Sequence, residues 1–149
     1  MPYQSNARAV KAAIRQGIDD GLTVIGQHYT QNVRGVLLSG YTSGAFSNHA
    51  RGVAGRVMFT PPRDMGDGSR GIIVGTSTAP GYPYELAWEL GHQNLFTGRF
   101  ERVEVWNPML EDNAWLYLRM MHRSVERRAG AEAARVVTLS VGRATGSRR

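Results

Sequence analysis

An α+β fold is predicted, with a long N-terminal helix, a small antiparallel sheet of three to four strands, and a C-terminal helix packed on the sheet. Three observations predict it. Apolar residues recur every three or four positions over residues 6–38, which is the helix period. Short apolar runs bounded by Gly, Pro and Asp clusters occupy residues 56–106, as strands do. Asn107-Pro108 then opens a second helical pattern. Strands and helices do not alternate in the βαβ rhythm of a doubly wound sheet, and no internal repeat is present. The expected organisation is one α+β domain over residues 1–141, with 142–149 a disordered basic tail.

The first helix is expected after Ser5 as N-cap, with Val10, Ile14, Ile18, Leu22, Ile25, Tyr29, Val33 and Val36 as its buried stripe. Gly17, Gly21, Gly26 and Gly35 interrupt it, each at up to about 1 kcal/mol relative to alanine, so packing rather than propensity must hold it. At about 45 Å it would slightly exceed a compact body of this chain length. It is therefore expected to bend, to break near Gly21 or Gly26, or to project onto a neighbour. Residues 39–55 read as a Gly/Ser/Thr/Asn-rich loop with at most one helical turn at Ala45–His49.

Arg56–Thr60 is expected as a strand stopped by Pro61-Pro62, and Asp67-Gly68 as the turn that returns the chain. Gly71–Thr76 is a second strand, apolar enough to be central, and residues 77–83 form another turn. Tyr84–Leu90 fits a short helix or a strand. In Arg99–Trp106, Phe100, Val103 and Val105 alternate with charged neighbours, and the irregular Phe100-to-Val103 step suggests a bulge. Asn107 is a good N-cap and Pro108 suits the first helical position. The buried stripe that follows is Leu110, Ala114, Tyr117, Leu118, Met121 and Val125. Glu111 and Asp112 near its start and four arginines near its end match the helix dipole. Gly130 is the expected stop and residues 135–141 a final strand. Trp88, Trp106 and Trp115 are expected in the core.

The chain has 149 residues, 42% hydrophobic and 20% charged. That suits one folded domain and argues against wholesale disorder. No apolar run is long enough for a transmembrane helix, and the first seventeen residues lack the apolar region of a secretory signal. Cysteine is absent, which excludes disulfide scaffolds, thiolate metal sites and cysteine nucleophiles. The net charge is +6, and seventeen of the eighteen basic residues are arginine. Residues 1–118 hold ten basic and ten acidic side chains. Residues 119–149 hold eight arginines against Glu126 and Glu132, and so carry the whole excess. A concentrated basic end can meet a polyanion or an acidic protein surface, or serve only as a solvated helix face.

Motifs of catalysis are missing. There is no P-loop, no G-x-G-x-x-G and no G-x-S-x-G elbow. Glu85, Glu89 and His92 stand at i, i+4 and i+7, a spacing that brings two carboxylates and an imidazole to one helix face. Gly91 would end that helix before His92, so no metal is assigned and no cofactor is expected. His28, His49 and His122 share no ligand spacing. Arg119, Arg123 and Arg127 do share a helix face, with Arg128 beside them, and such a row can follow phosphates without reading bases. No helix-turn-helix, zinc finger or aromatic RNA-binding motif accompanies it.

Residues 71–92 (GIIVGTSTAPGYPYELAWELGH) resemble the small tail-completion or minor-tail-component proteins encoded among the head–tail joining genes of tailed bacteriophages. Those proteins tend to show a strand ending in V-G-T, then a tyrosine, a glutamate five residues on, and a glycine after one more. Val74-Gly75-Thr76 matches the strand end, and Tyr84, Glu89 and Gly91 match the three later positions. His92 stands where the family often has threonine. Thr42 to Ser47 echoes the family's segment before the first strand. Trp106 to Leu110 echoes its approach to the last helix, without the usual proline-phenylalanine pair. The resemblance covers about residues 5–130.

The resemblance implies a structural virion protein, not an enzyme, localised to the neck and assembled in the host cytoplasm. Such proteins form rings, here a homo-oligomer of six or twelve copies. They sit between the head-completion or connector protein and the tail terminator or tail tube, with genomic DNA in the lumen and no membrane contact. A heterologous interface repeated by rotation closes such a ring. The loops at 39–55 and 61–70, with Tyr41, Phe46, Arg63 and Asp64, are candidates for ring docking, and residues 135–141 for adding a strand to a neighbour. Tyr84, Glu89 and Gly91 serve either local architecture or direct partner contact. The alternative from another class is a small non-specific DNA-binding protein that uses Arg119, Arg123, Arg127 and Arg128.

Overall fold

A computed structural model describes residues 2–45, 49–76, 92–93, 100–101 and 105–146. It is a mixed fold of helices and small antiparallel ladders. Contacts group the chain into two compact units. One comprises Met1–Ile25, Pro62–Gly71 and Leu116–Arg149, and the other Gly26–Pro61 and Ile72–Trp115.

Helix α1 spans Pro2–Ser43 without a break, starting earlier and ending later than its apolar pattern. Its last turn, expected as a loop, is held by hydroxyls: Thr42 donates to the Leu38 carbonyl (2.9 Å) and Ser43 to that of Gly40 (3.2 Å). Gly44 then takes φ +76°, the left-handed conformation that ends helices. Its N–H reaches the Tyr41 carbonyl at 3.2 Å. Helix α2 follows at His49–Arg56, longer than the single turn expected.

In the second unit these two helices build the main core. Tyr29, Val33 and Leu37 lie on one face of α1, and Ala50, Val53 and Ala54 on α2; all are buried, together with Val57 and Val105. Val36, expected in the stripe, faces outward. The true buried line runs through Tyr29, Val33 and Leu37, one helix position away. Strand β1 (Val57–Phe59) pairs antiparallel with β4 (Val74–Thr76), placing Val57 opposite Thr76 and Phe59 opposite Val74. The Thr60 amide donates to the Ile73 carbonyl at 2.9 Å, and the Thr60 hydroxyl accepts from the Ile73 amide at 3.0 Å. Gly26 receives the Phe59 ring, which lies 2.5 Å from where a β-carbon would stand. Strands β5 (His92–Gln93) and β6 (Phe100–Glu101) form a further antiparallel ladder.

Strands β2 (Arg63–Asp64) and β3 (Arg70–Gly71) make the hairpin expected around Asp67-Gly68. Gly66 and Gly68 take φ of +93° and +83°. Asp64 accepts the Gly66 N–H and Asp67 the Ser69 N–H, each at 2.9 Å, the side-chain turns that aspartate favours. Every described sheet has two strands, so the three- to four-stranded sheet with a central Gly71–Thr76 strand is corrected. That segment divides between β3 and β4, and Ile73 is exposed.

Helix α3 runs Trp106–Asp112 and α4 Ala114–Gly146. Helix α3 begins one residue before the expected cap, after buried Val105. Pro108 falls in the first turn, where a missing N–H leaves no hydrogen bond unmade. Asn113 ends α3, and its side-chain amide donates to the Met109 carbonyl at 2.8 Å. The single helix expected from Asn107 is therefore two.

Gly130 does not stop α4, and residues 135–141, expected as a strand, continue it, as do residues 142–146 of the expected disordered tail. Ala129, Ala131, Ala133 and Ala134 are strong helix formers around one glycine. Glu132 and Arg135 add a pair at i, i+3 with a contact of 2.7 Å. The local preference of Val136, Val137 and Thr138 for strands is small by comparison.

In the first unit α4 packs on α1 instead of on the expected sheet. A β-carbon on Gly17 would lie 2.7 Å from Val125 Cα, and one on Gly21 3.2 Å from Met121 Cα. The two helices are antiparallel there and touch backbone to backbone. Extending this register places Ala13 level with Ala129 and Ala9 level with Ala133, so small residues stand every fourth position along α1. This seam turns α4 so that Tyr117 and Ser124 are buried while Leu118 is 61% exposed. Leu118, expected in the core, is thereby corrected to the surface, and Leu110 and Trp115, also expected to be buried, are exposed as well.

Candidate interaction surface

The four arginines singled out on α4 separate into two pairs. Arg128 donates through Nε to Asp20 Oδ2 at 2.6 Å, and Arg127 approaches the same oxygen at 3.9 Å. Gln16 donates to the other oxygen of Asp20 at 3.1 Å. The Arg128 hydrogen bond, then that of Gln16, hold the Asp20 carboxyl below its ordinary range, and Asp20 in turn raises Arg128. These arginines clamp one flank of the α1–α4 seam. Arg119 and Arg123 lie exposed on the outer side of α4, and among the described residues neither has an acidic partner.

A second clamp ties the hairpin to α1. Arg70 donates through Nε and a terminal nitrogen to the two oxygens of Asp19, both at 2.8 Å, and to the Pro62 carbonyl at 3.3 Å. This bidentate geometry is the strong form of the pair, and it raises Arg70 above its ordinary value. Arg63 and Asp64, named as ring-docking candidates, are exposed on β2. Tyr41 is half-buried in the last turn of α1 instead of on a loop. Phe46, Tyr84, Glu89 and Gly91 lie outside the described residues.

The second unit has an open groove of about 250 Å³ lined by Gln27, Thr30, Gln31, Arg34, Met58 and Phe59. Arg34 donates to the Val57 carbonyl. The buried Thr30 hydroxyl bonds the Gly26 and Gln27 carbonyls. Tyr29 donates to the Trp106 carbonyl at 2.6 Å with the two rings tilted against each other. The groove's polar groups thus serve largely to anchor helix and strand.

Among the described residues no group of three or more His, Asp or Glu side chains could hold a metal, and no helix is long and apolar enough to cross a membrane. The Asp19 and Asp20 clamps escape a reading of the sequence, because partners 51 and 108 residues away leave no local signal. The seam had one. Ala9, Ala13, Gly17 and Gly21 recur at intervals of four, which marks a helix face that another backbone can approach closely.

Comparison with protein families, with curated proteins and with solved structures finds no match for this chain.

Proposed function

We propose that this chain is a structural protein of a tailed bacteriophage virion, a tail-completion or neck protein. Copies of it form a ring between the head connector and the tail, with DNA passing through. The observation that carries the reading is the run of motif positions beginning at Val74-Gly75-Thr76, a segment that is strand β4. The described surface suits the role: Arg119 and Arg123 on α4 and Arg63 and Asp64 on the hairpin are exposed. Such a subunit works by presenting faces to its neighbours and needs no catalytic group. Removing the gene from the source phage is expected to leave separate full heads and finished tails. Normal infectious particles without the protein would end the proposal.

The second reading, non-specific DNA binding, rests on Arg119 and Arg123. Two exposed guanidiniums one helical turn apart can each meet a phosphate. This reading predicts binding by the isolated protein that weakens with salt, and it fails if none is detectable near physiological ionic strength.

A further inference from the structure

We infer that α1 and α4 of the first unit pack against the same two helices of a second copy, forming an antiparallel four-helix bundle. This goes beyond the neck reading and does not depend on it.

The first unit is short of core. Of the nine buried hydrophobic side chains among the described residues, eight belong to the other unit, and only Tyr117 belongs here. Its seam is made of glycine backbone, which contributes contact but little apolar burial. Meanwhile Ile14 and Leu118 are 37% and 61% exposed. Two helices and a short hairpin bury little apolar surface of their own, and a two-helix layer is completed most simply by another.

The uncovered face can be located. At roughly 100° per residue, Asp20 and Arg128 lie to one side of the seam defined by Gly17, Gly21, Met121 and Val125. Their hydrogen bond closes that side. Ile14, Ile18, Leu118 and Ala129 lie on the opposite side, about 40–80° round from the seam. The seam is antiparallel, so the same sense of rotation on each helix brings these residues to one common face.

One charge pair on this face argues for a second copy as its occupant. Its α1 edge carries Lys11 and Arg15, and its α4 edge carries Glu126 with Arg119 two turns before it. A two-fold axis parallel to the helices lays the α1 edge of one copy over the α4 edge of the other and keeps each residue at its level. The Gly17–Val125 register places Arg15 level with residue 127, next to Glu126. A second copy therefore brings Arg15 of each chain to Glu126 of the other, twice by symmetry. Glu126 is 64% exposed, with His122 on the same helix 3.3 Å away, and so remains open to an arginine.

Sedimentation equilibrium on the full chain tests this. The wild type is expected to be dimeric as its smallest species at micromolar concentration. Leu118→Glu is expected to give monomer with unchanged helical circular dichroism, since Leu118 faces solvent within one copy. Arg15→Glu and Glu126→Arg are each expected to weaken self-association by about tenfold, and the doubly reversed variant to restore it to near wild type. A monomeric wild type, leaving the face to some other partner, overturns the inference. So does association that survives Leu118→Glu, or a double reversal no better than the singles. A dimer that obeys these rules but labels no virion would sink the neck reading alone.

Discussion

Gly17 and Val125 meet backbone to backbone: a β-carbon on Gly17 would stand 2.7 Å from Val125 Cα and 3.0 Å from the Ser124 carbonyl oxygen. Neither backbone can be moved without parting the helices. The glycine that weakens α1 locally is what lets α4 pack against it.

Gly17→Ala is therefore expected to destabilise the protein by about 1–3 kcal/mol, because overpacking outweighs the gain in helix propensity. Gly35→Ala lies in the same helix with nothing within 4 Å and is expected to stabilise by about 0.4–1 kcal/mol. Urea unfolding of the two variants decides the matter, and a stabilising Gly17→Ala contradicts the seam.

In the second unit Leu37 is 1% exposed. Leu37→Ala is expected to cost about 2–5 kcal/mol. Leu38→Ala, next to it but 44% exposed, should cost far less. Equal shifts in the urea midpoint would mean that α1 buries a different face.

Asp20 sets an acid limit. Its folded pKa lies below the ordinary 3.8, through Arg128 first and Gln16 second. A lowered carboxyl contributes stability that is fully present above the unfolded value and is lost as pH falls through the folded one. Thermal melts are thus expected to show the Asp20 contribution intact at neutral pH and declining below about pH 4. In Asp20→Asn the melting temperature should be lower at neutral pH and fall less steeply in acid. Parallel acid profiles would show that the clamp contributes nothing.

For DNA binding, the arginine row splits. Arg127 and Arg128 face Asp20, leaving Arg119 and Arg123 for phosphates. The log–log dependence of affinity on salt is expected to have a slope of about −2 from this helix. Removing both Arg119 and Arg123 should abolish that share, whereas Arg128→Ala should lower stability and leave the slope unchanged. Fluorescence anisotropy with a short duplex measures this directly, and a slope that Arg119 and Arg123 do not affect rules the surface out.

Local signals in the sequence and the structure agree where the chemistry is local. The Asp67-Gly68 turn, the Val57–Phe59 strand before Pro61 and the helix through Tyr29 and Val33 each follow from side chains a few residues apart. Misreadings cluster where distant contacts or length decide. Leu118 has helix spacing with Ala114 and Met121, but the glycine seam rotates α4 and leaves it outside. Residues 135–141 have a strand's composition, yet they continue a helix already established by the alanines before them. The Asp20–Arg128 and Asp19–Arg70 clamps join residues remote in sequence. Which acid takes which arginine is settled only once α1, α4 and the hairpin are in place.

A place for this chain in the virion neck is tested most directly by immunogold electron microscopy of the source particles with an antibody to the chain. Label at the head–tail junction is the predicted result and would turn attention to the number of copies in the ring. Intact particles carrying no label would contradict the account and leave the exposed Arg119–Arg123 face, and with it DNA binding, as the leading reading.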